Sequence, residues 1–215
     1  MHWIDLSPST SRGLVLLSTR FTEDAAGAKY HRECLAELRN DGAATLCAIE
    51  AHLSLKDGDE MERAAFVGFV DGPPFDGGSS ASIACLAPGD HGAFFASDDV
   101  DEPVGPDTVR SVEVKLTSIA SPLRPHAHAP TIAWMSAEHL AGKYFKLVGI
   151  ASAHGAVHDV VLHGYPLVGG VLRKRLVATH PSTWSDSTSW SFATNPADAA
   201  FTDVLAIMSF SDGGA

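Results

Sequence analysis

The sequence predicts an all-β protein, an antiparallel β-sandwich of the jelly-roll type preceded by one N-terminal α-helix. Residues 111–117 alternate strictly: Val112, Val114 and Leu116 share one face, and Glu113, Lys115 and Thr117 the other. Branched and aromatic runs then recur at short spacing, separated by Gly and Pro, up to a closing run at 202–210 that is apolar on both faces. No long stretch of helical periodicity interrupts the last hundred or so residues.

The elements follow in order. Residues 14–17 suit a short first strand after the Ser/Thr/Pro segment 7–11. A helix is expected at about 22–40. Thr22 is placed to cap it, Glu23 and Asp24 complement its positive end, and Arg32 and Arg39 fall toward the other. Tyr30, Cys34, Leu35 and Leu38 form its apolar stripe, and Asn40, Asp41 and Gly42 stop it. A lone helix cannot bury such a stripe. Tyr30, Cys34 and Leu38, with Trp184, are therefore expected at subunit contacts, and Leu38→Asp is expected to block assembly without unfolding the β domain. The chain thus divides into an N-terminal segment, 1–43, carrying the helix, and a single jelly-roll domain, 44–215.

Within that domain, 45–55 and 64–70 read as a hairpin turned at Asp57-Gly58. Residues 72–78 form a Gly/Pro loop, with Ser79 and Ser80 as turn residues. Residues 80–86 and 93–96 are expected to pair, and 98–107 to form an acidic loop. Further strands are expected at 111–118, 131–135, 144–152, 157–168, 171–179, 189–193 and 202–210, with at most a helical turn at 136–142.

Composition limits the function. The 215 residues, 45% apolar and 19% charged, can bury a sizeable core. The net charge of −11 opposes binding to DNA irrespective of sequence. So low a charge content fits a surface that copies of the chain cover. The three cysteines, Cys34, Cys47 and Cys85, have no metal-ligand spacing and read as buried thiols in a reducing compartment. The first residues lack the basic and apolar regions of a signal peptide, and no run is long enough to span a bilayer, so no membrane partner is expected.

Few residues suggest chemistry. His126 and His128 would share one side of an extended segment, with Glu138 or His139 nearby in sequence, but Pro125 and Pro130 bracket them as an exposed loop. His154, His158 and His163 would scatter over both faces of a strand. Asp98, Asp99, Asp101 and Glu102 are the one candidate set for a divalent cation such as calcium, without the spacing or central glycine of a known loop; otherwise no cofactor is expected. Gly-x-Ser-x-Gly and phosphate-loop motifs are absent, so no catalytic residue is assigned. Arg173, Lys174 and Arg175 form the one cationic cluster, suited to phosphate.

The region from Val109 onward resembles the coat proteins of small icosahedral plant RNA viruses, the tymovirus-like ones in particular. The likeness is one of order: the alternating strand 111–118, a loop of Pro and small residues at 121–130, and a short strand with a central Trp134. The turn at 136–142 and two final strands, 189–193 and 204–210, joined by the loop 194–199, complete it. It covers about half the chain. The resemblance implies a capsid subunit that assembles with copies of itself into an icosahedral shell around RNA, in the virion and host cytoplasm. The basic N-terminal arm that many such coats carry is replaced here by a neutral start. RNA contact would then fall to Arg173, Lys174 and Arg175. Two rivals stand beside it: a cupin-like metal-dependent enzyme using His126 and His128, and a β-sandwich binding module.

Overall fold

A computed structural model of the chain describes residues 2–6, 9–11, 13–76, 82–120, 123–141, 144–180, 182–184, 189–197 and 200–212. Apart from a 3₁₀ turn at Pro106–Thr108, the regular elements among them are all strands. These are β1 His2–Leu6, β2 Ser9–Ser11, β3 Leu14–Ala26, β4 Lys29–Asn40, β5 Leu46–Lys56 and β6 Glu62–Asp71. Next come β7 Pro74–Phe75, β8 Ile83–Leu86, β9 His91–Val100, β10 Ser111–Ala120, β11 Thr131–His139 and β12 Phe145–Ser152. The chain continues as β13 Val157–Val168, β14 Val171–Leu172, β15 Leu176–His180, β16 Ser189–Ala193 and β17 Asp203–Asp212. The turn residues Ser79 and Ser80, and the end of the loop at 198–199, lie outside the described residues.

Two compact units share the chain. The first comprises Met1–Asp71, Leu86–Ser121 and Gly170–Leu172. Its sheet runs β1-β3-β4-β9-β6-β5, with β10 also paired to β5 and β2 beside β3. One core gathers inward residues from several strands. Phe21 comes from β3, Cys34, Ala36 and Leu38 from β4, Leu53 and Leu55 from β5, Phe66 from β6, Phe94 from β9 and Leu116 from β10.

No helix forms at 22–40. This segment is the end of β3 and the whole of β4, paired antiparallel from Leu14↔Asn40 to Ala26↔Lys29. Gly27, with φ of +67°, makes the turn between them in a conformation that other L-residues seldom adopt. Cys34, Ala36, Leu38 and Asn40, alternate residues of β4, are all completely buried. Positions four apart lie on one side of a helix, but they also lie on one side of a strand, since four is a multiple of two. The apolar stripe was therefore compatible with both, and pairing on both edges of β4 decides for the strand. Thr22 therefore caps no helix, and Glu23 complements no helix end. The Glu23 carboxylate accepts the backbone N–H groups of Val104 (2.8 Å) and Gly105 (3.2 Å).

The expected hairpin of 45–55 and 64–70 forms as β5 and β6. The expected pairing of 93–96 with 80–86 does not, because β9 has β4 and β6 as its two neighbours. Asn40, expected to stop a helix, instead organises a corner of the first unit. Its side-chain N–H groups donate to the carbonyls of Ala44 and Leu86, both at 2.8 Å, and its Oδ1 accepts from Gly42 N–H at 2.9 Å.

The second unit comprises Gly72–Cys85, Pro122–Gly169 and Arg173–Ala215. It holds a three-stranded sheet, β11-β12-β16, and a second sheet in which β13 lies between β15 and β17. Leu147 and Phe192 from the first sheet meet Val160, Leu162, Leu176 and Met208 from the second in one core, so the two sheets form layers. At Gly149 an added Cβ would lie 2.2 Å from the Trp134 carbonyl oxygen and 2.6 Å from Phe192 Cζ, so only glycine fits this crossing. The helical turn expected at 136–142 is instead the continuation of β11 to His139. The single strand expected at 171–179 is two, β14 and β15, separated by Arg173, Lys174 and Arg175.

Cys34 is a free thiol, fully buried, and burial pushes its pKa up to about 12. Cys47 and Cys85 are disulfide-bonded, so the expectation of three thiols holds only for Cys34. Alkylation followed by mass spectrometry checks this: unfolding without reductant exposes one reactive cysteine, and unfolding with reductant exposes three. The burial of Leu38 also reverses the expected outcome of Leu38→Asp. A carboxylate there destabilises the first unit by more than about 4 kcal/mol, and Leu38→Ala by about 3 kcal/mol. Denaturant unfolding followed by circular dichroism measures both; a Leu38→Asp variant that remains folded would contradict the burial of β4.

Candidate functional site

The first unit turns a second, outward face to solvent across β10, β5 and β6. Lys115 lies opposite His52 and Thr117 opposite Glu50; on the other side, Glu50 meets Phe69 and His52 meets Val67. These residues form rows across three strands, because antiparallel partners share a face. Glu50, His52, Val67, Lys115 and Thr117 line a hollow of about 250 Å³. Val67 is 57% exposed and Phe69 68%, while the alternate residues Phe66 and Val70 are in the core. The sequence signal for this face was available. Residues 64–70 are apolar on both sides, and a single core covers only one side of a strand.

The turn between β5 and β6 keeps this face in register. Asp57, buried, accepts N–H bonds from Asp59 (2.8 Å) and Met61 (3.0 Å), and the guanidinium of Arg63 lies against its other oxygen at 2.5 Å. Burial alone would raise the Asp57 pKa, but the two N–H donors and Arg63 outweigh it and hold it below the usual carboxylate range. Lys56 sits 2.6 Å from Glu113, raising the lysine pKa and lowering that of the glutamate.

The second unit exposes the three-stranded sheet. Trp134, 53% exposed, lies directly opposite Ile150, 40% exposed, and Ile150 lies opposite Ser191. Among the described residues only β12 pairs with β11, and every residue of β11 except Ile132 and Met135 is exposed. Glu138 pairs across the sheet with Lys146, with 2.9 Å between their charged atoms.

The residues singled out in the sequence lie apart. Asp98 and Asp99 belong to β9, where each faces a basic side chain across the ladder: Arg32 grips Asp98 with two nitrogens, and His31 Nδ1 is 2.8 Å from Asp99. The hydrogen bond to Asp99 is the main cause that raises the His31 pKa. Asp101 and Glu102 follow in an exposed bend. His128 N–H donates to His126 Nδ1 at 3.1 Å, and the His126 ring stands edge-on to Phe210. Among the described residues, no three His, Cys, Asp or Glu side chains stand close enough to hold a metal ion. Arg173, Lys174 and Arg175 are all half-buried, with the Arg173 N–H donating to the Pro166 carbonyl at 2.9 Å. Tyr30 is half-buried on β4, and Cys34 and Leu38 lie in the first unit's core. Trp184 is fully buried in the second, its indole N–H donating to His180 Nδ1 at 2.8 Å.

No family model matches the chain, and no curated protein matches it. No helix among the described residues is long and apolar enough to cross a membrane.

The Asp57 turn gives a pH test. Its pKa is depressed in the folded state, so its contribution is present above the unfolded carboxylate pKa of about 3.9. That contribution is lost as the pH falls through the lower folded value. Asp57→Asn is therefore expected to lower the melting temperature at neutral pH and to narrow the gap from the parent on acidification. Parallel melting profiles for the two proteins down to the acid limit would contradict this role.

Proposed function

We propose that this chain is a structural subunit that associates with copies of itself, acting through its exposed sheet faces rather than through a catalytic centre. The observation that carries the reading is the pairing of large apolar side chains at the surface: Val67 beside Phe69 on β6, and Trp134 opposite Ile150. Single exposed apolar residues are ordinary, but neighbours that share one sheet face mark surfaces that become covered. Where charge shares those faces it is balanced: Glu138 pairs with Lys146, and Glu50 and Lys115 are of opposite sign.

The most specific form of this proposal is the capsid role that the resemblance implies, a jelly-roll subunit of an icosahedral shell around RNA in a virion. The layered sheets of the second unit support a sandwich of that kind. Arg173, Lys174 and Arg175 remain the proposed RNA contact on charge alone. A second reading, a binding module, is favoured by the hollow lined by Glu50, His52, Lys115 and Thr117, which would hold a small polar ligand beside Phe69.

Sedimentation over a concentration series, with electron microscopy of the same samples, tests the first reading. The parent protein should form discrete oligomers or uniform particles. Phe69→Ser combined with Trp134→Ser should weaken association at least about tenfold, as loss of central aromatic contacts does, with an unchanged circular dichroism spectrum. A parent protein that stays monomeric at every concentration would overturn it.

A further inference from the structure

We infer that β11 is a pairing edge for a second copy of itself, so that two three-stranded sheets join antiparallel into one continuous sheet across a two-fold axis. The inference rests on the self-association proposed above and names the surface and its partner.

Edge strands carry a row of unpaired backbone donors and acceptors, and proteins usually guard them with proline, unpaired charge, a bulge or short length. β11 has one bulge, at Ala133, and from Trp134 to His139 none of these guards. It runs for nine residues, Thr131–His139, and its sequence, TIAWMSAEH, has no proline. Its carboxylate, Glu138, is already paired with Lys146 on its own neighbour, β12. The His139 ring is stacked on Phe145, with centroids 4.8 Å apart. Among the described residues nothing pairs with its outer edge, and the strand offers that edge without net charge to repel its own copy.

The side chains fit a copy of the strand running the other way. The register with β12 shifts between Ile132 and Trp134, making Ala133 the extra residue of a bulge. Thr131, Trp134, Ser136 and Glu138 consequently share the outer face, as their partners Ser152, Ile150, Val148 and Lys146 show. A two-fold axis through Met135 then sets Trp134 opposite the small Ser136 of the other copy. The same axis sets Glu138 opposite Thr131, whose hydroxyl lies 3.0 Å from His154 Nε2. Bulky meets small, and the acidic group meets a hydroxyl and an imidazole; no like charges face each other.

On the inner side, a hollow of about 230 Å³ opens beside this edge, lined in part by Met135, Ala137, Leu147, Phe201 and Val204. At the axis the Met135 side chain of each copy reaches the hollow of the other, and methionine adapts readily to such a space. Main-chain pairing supplies the adhesion and alternate side chains supply the register, as in other cases of strand addition.

Two variants test this. Met135→Cys places a thiol on the axis, and mild oxidation should link it to its counterpart as a covalent dimer; Lys29→Cys, exposed at the turn between β3 and β4, should give none. Cys34 is buried and Cys47 and Cys85 are already bonded, so the native cysteines do not compete. Ser136→Lys with Glu138→Lys puts guarding cations on the edge and should weaken association at least tenfold by sedimentation, with the circular dichroism spectrum unchanged. Should the lysine variant fail to fold, the cross-link still decides. If the parent associates but Met135→Cys does not cross-link, the edge pairing is wrong while self-association stands. If the parent is monomeric throughout, both fall.

Discussion

Pairing on both edges of β4 is the constraint on which the first unit depends. With β3 on one side and β9 on the other, its backbone groups are bonded along most of its length. Its side chains must then satisfy two opposite surfaces at once. Cys34, Ala36 and Leu38 enter the core, and Leu35 and Glu37 on the other side are also buried. Glu37 is tolerated there because His91 Nδ1 lies 2.7 Å from its carboxylate. At the end of the strand, Asn40 meets the hydrogen-bonding needs of two loops with one amide, and its main-chain carbonyl accepts from Gly89 at 2.7 Å. A polar side chain so placed is worth most where water cannot replace it.

The chain's few charges follow a related logic. Arg32 with Asp98, His31 with Asp99, Lys56 with Glu113 and Lys146 with Glu138 are each matched across neighbouring strands. Such pairs at the surface add little stability individually. On the face of Val67 and Phe69, by contrast, Glu50 and Lys115 stay exposed, so charge there is balanced by opposite sign rather than removed. The His31 pair also carries a sign. Its pKa is raised, so its contribution is full below about pH 6.5 and is lost as the pH rises through the folded value. Asp57 acts in the opposite direction, through the acid range.

Several features were legible from particular residues. Strict alternation at 111–117 is β10, Asp57-Gly58 is the turn between β5 and β6, and the long branched run at 157–168 is β13. Segment 22–40 was misread because Tyr30, Cys34 and Leu38 recur every four residues, a spacing common to both periodicities. Gly27 was the contrary signal, since a glycine inside a helix costs about 1 kcal/mol, whereas at a turn between strands it is favoured. At the proposed surfaces, Trp134 drew notice in the sequence, but Val67 and Phe69 did not, because alternation alone does not say which side of an apolar strand is covered.

The sequence by itself determined the class of structure. Period-two patterning, β-branched residues and Gly/Pro punctuation are local properties, and local sterics and solvation are sufficient to read them. Tertiary structure alone decided which strand neighbours which, that Cys47 and Cys85 are bonded and Cys34 is not, and that Asp98 and Asp99 face basic side chains rather than gather in a loop. It also decided that β11 ends its sheet, with no partner on its outer edge among the described residues. These outcomes depend on contacts between residues far apart in the chain. No local pattern encodes them, because burial and pairing are properties of the partner as much as of the residue.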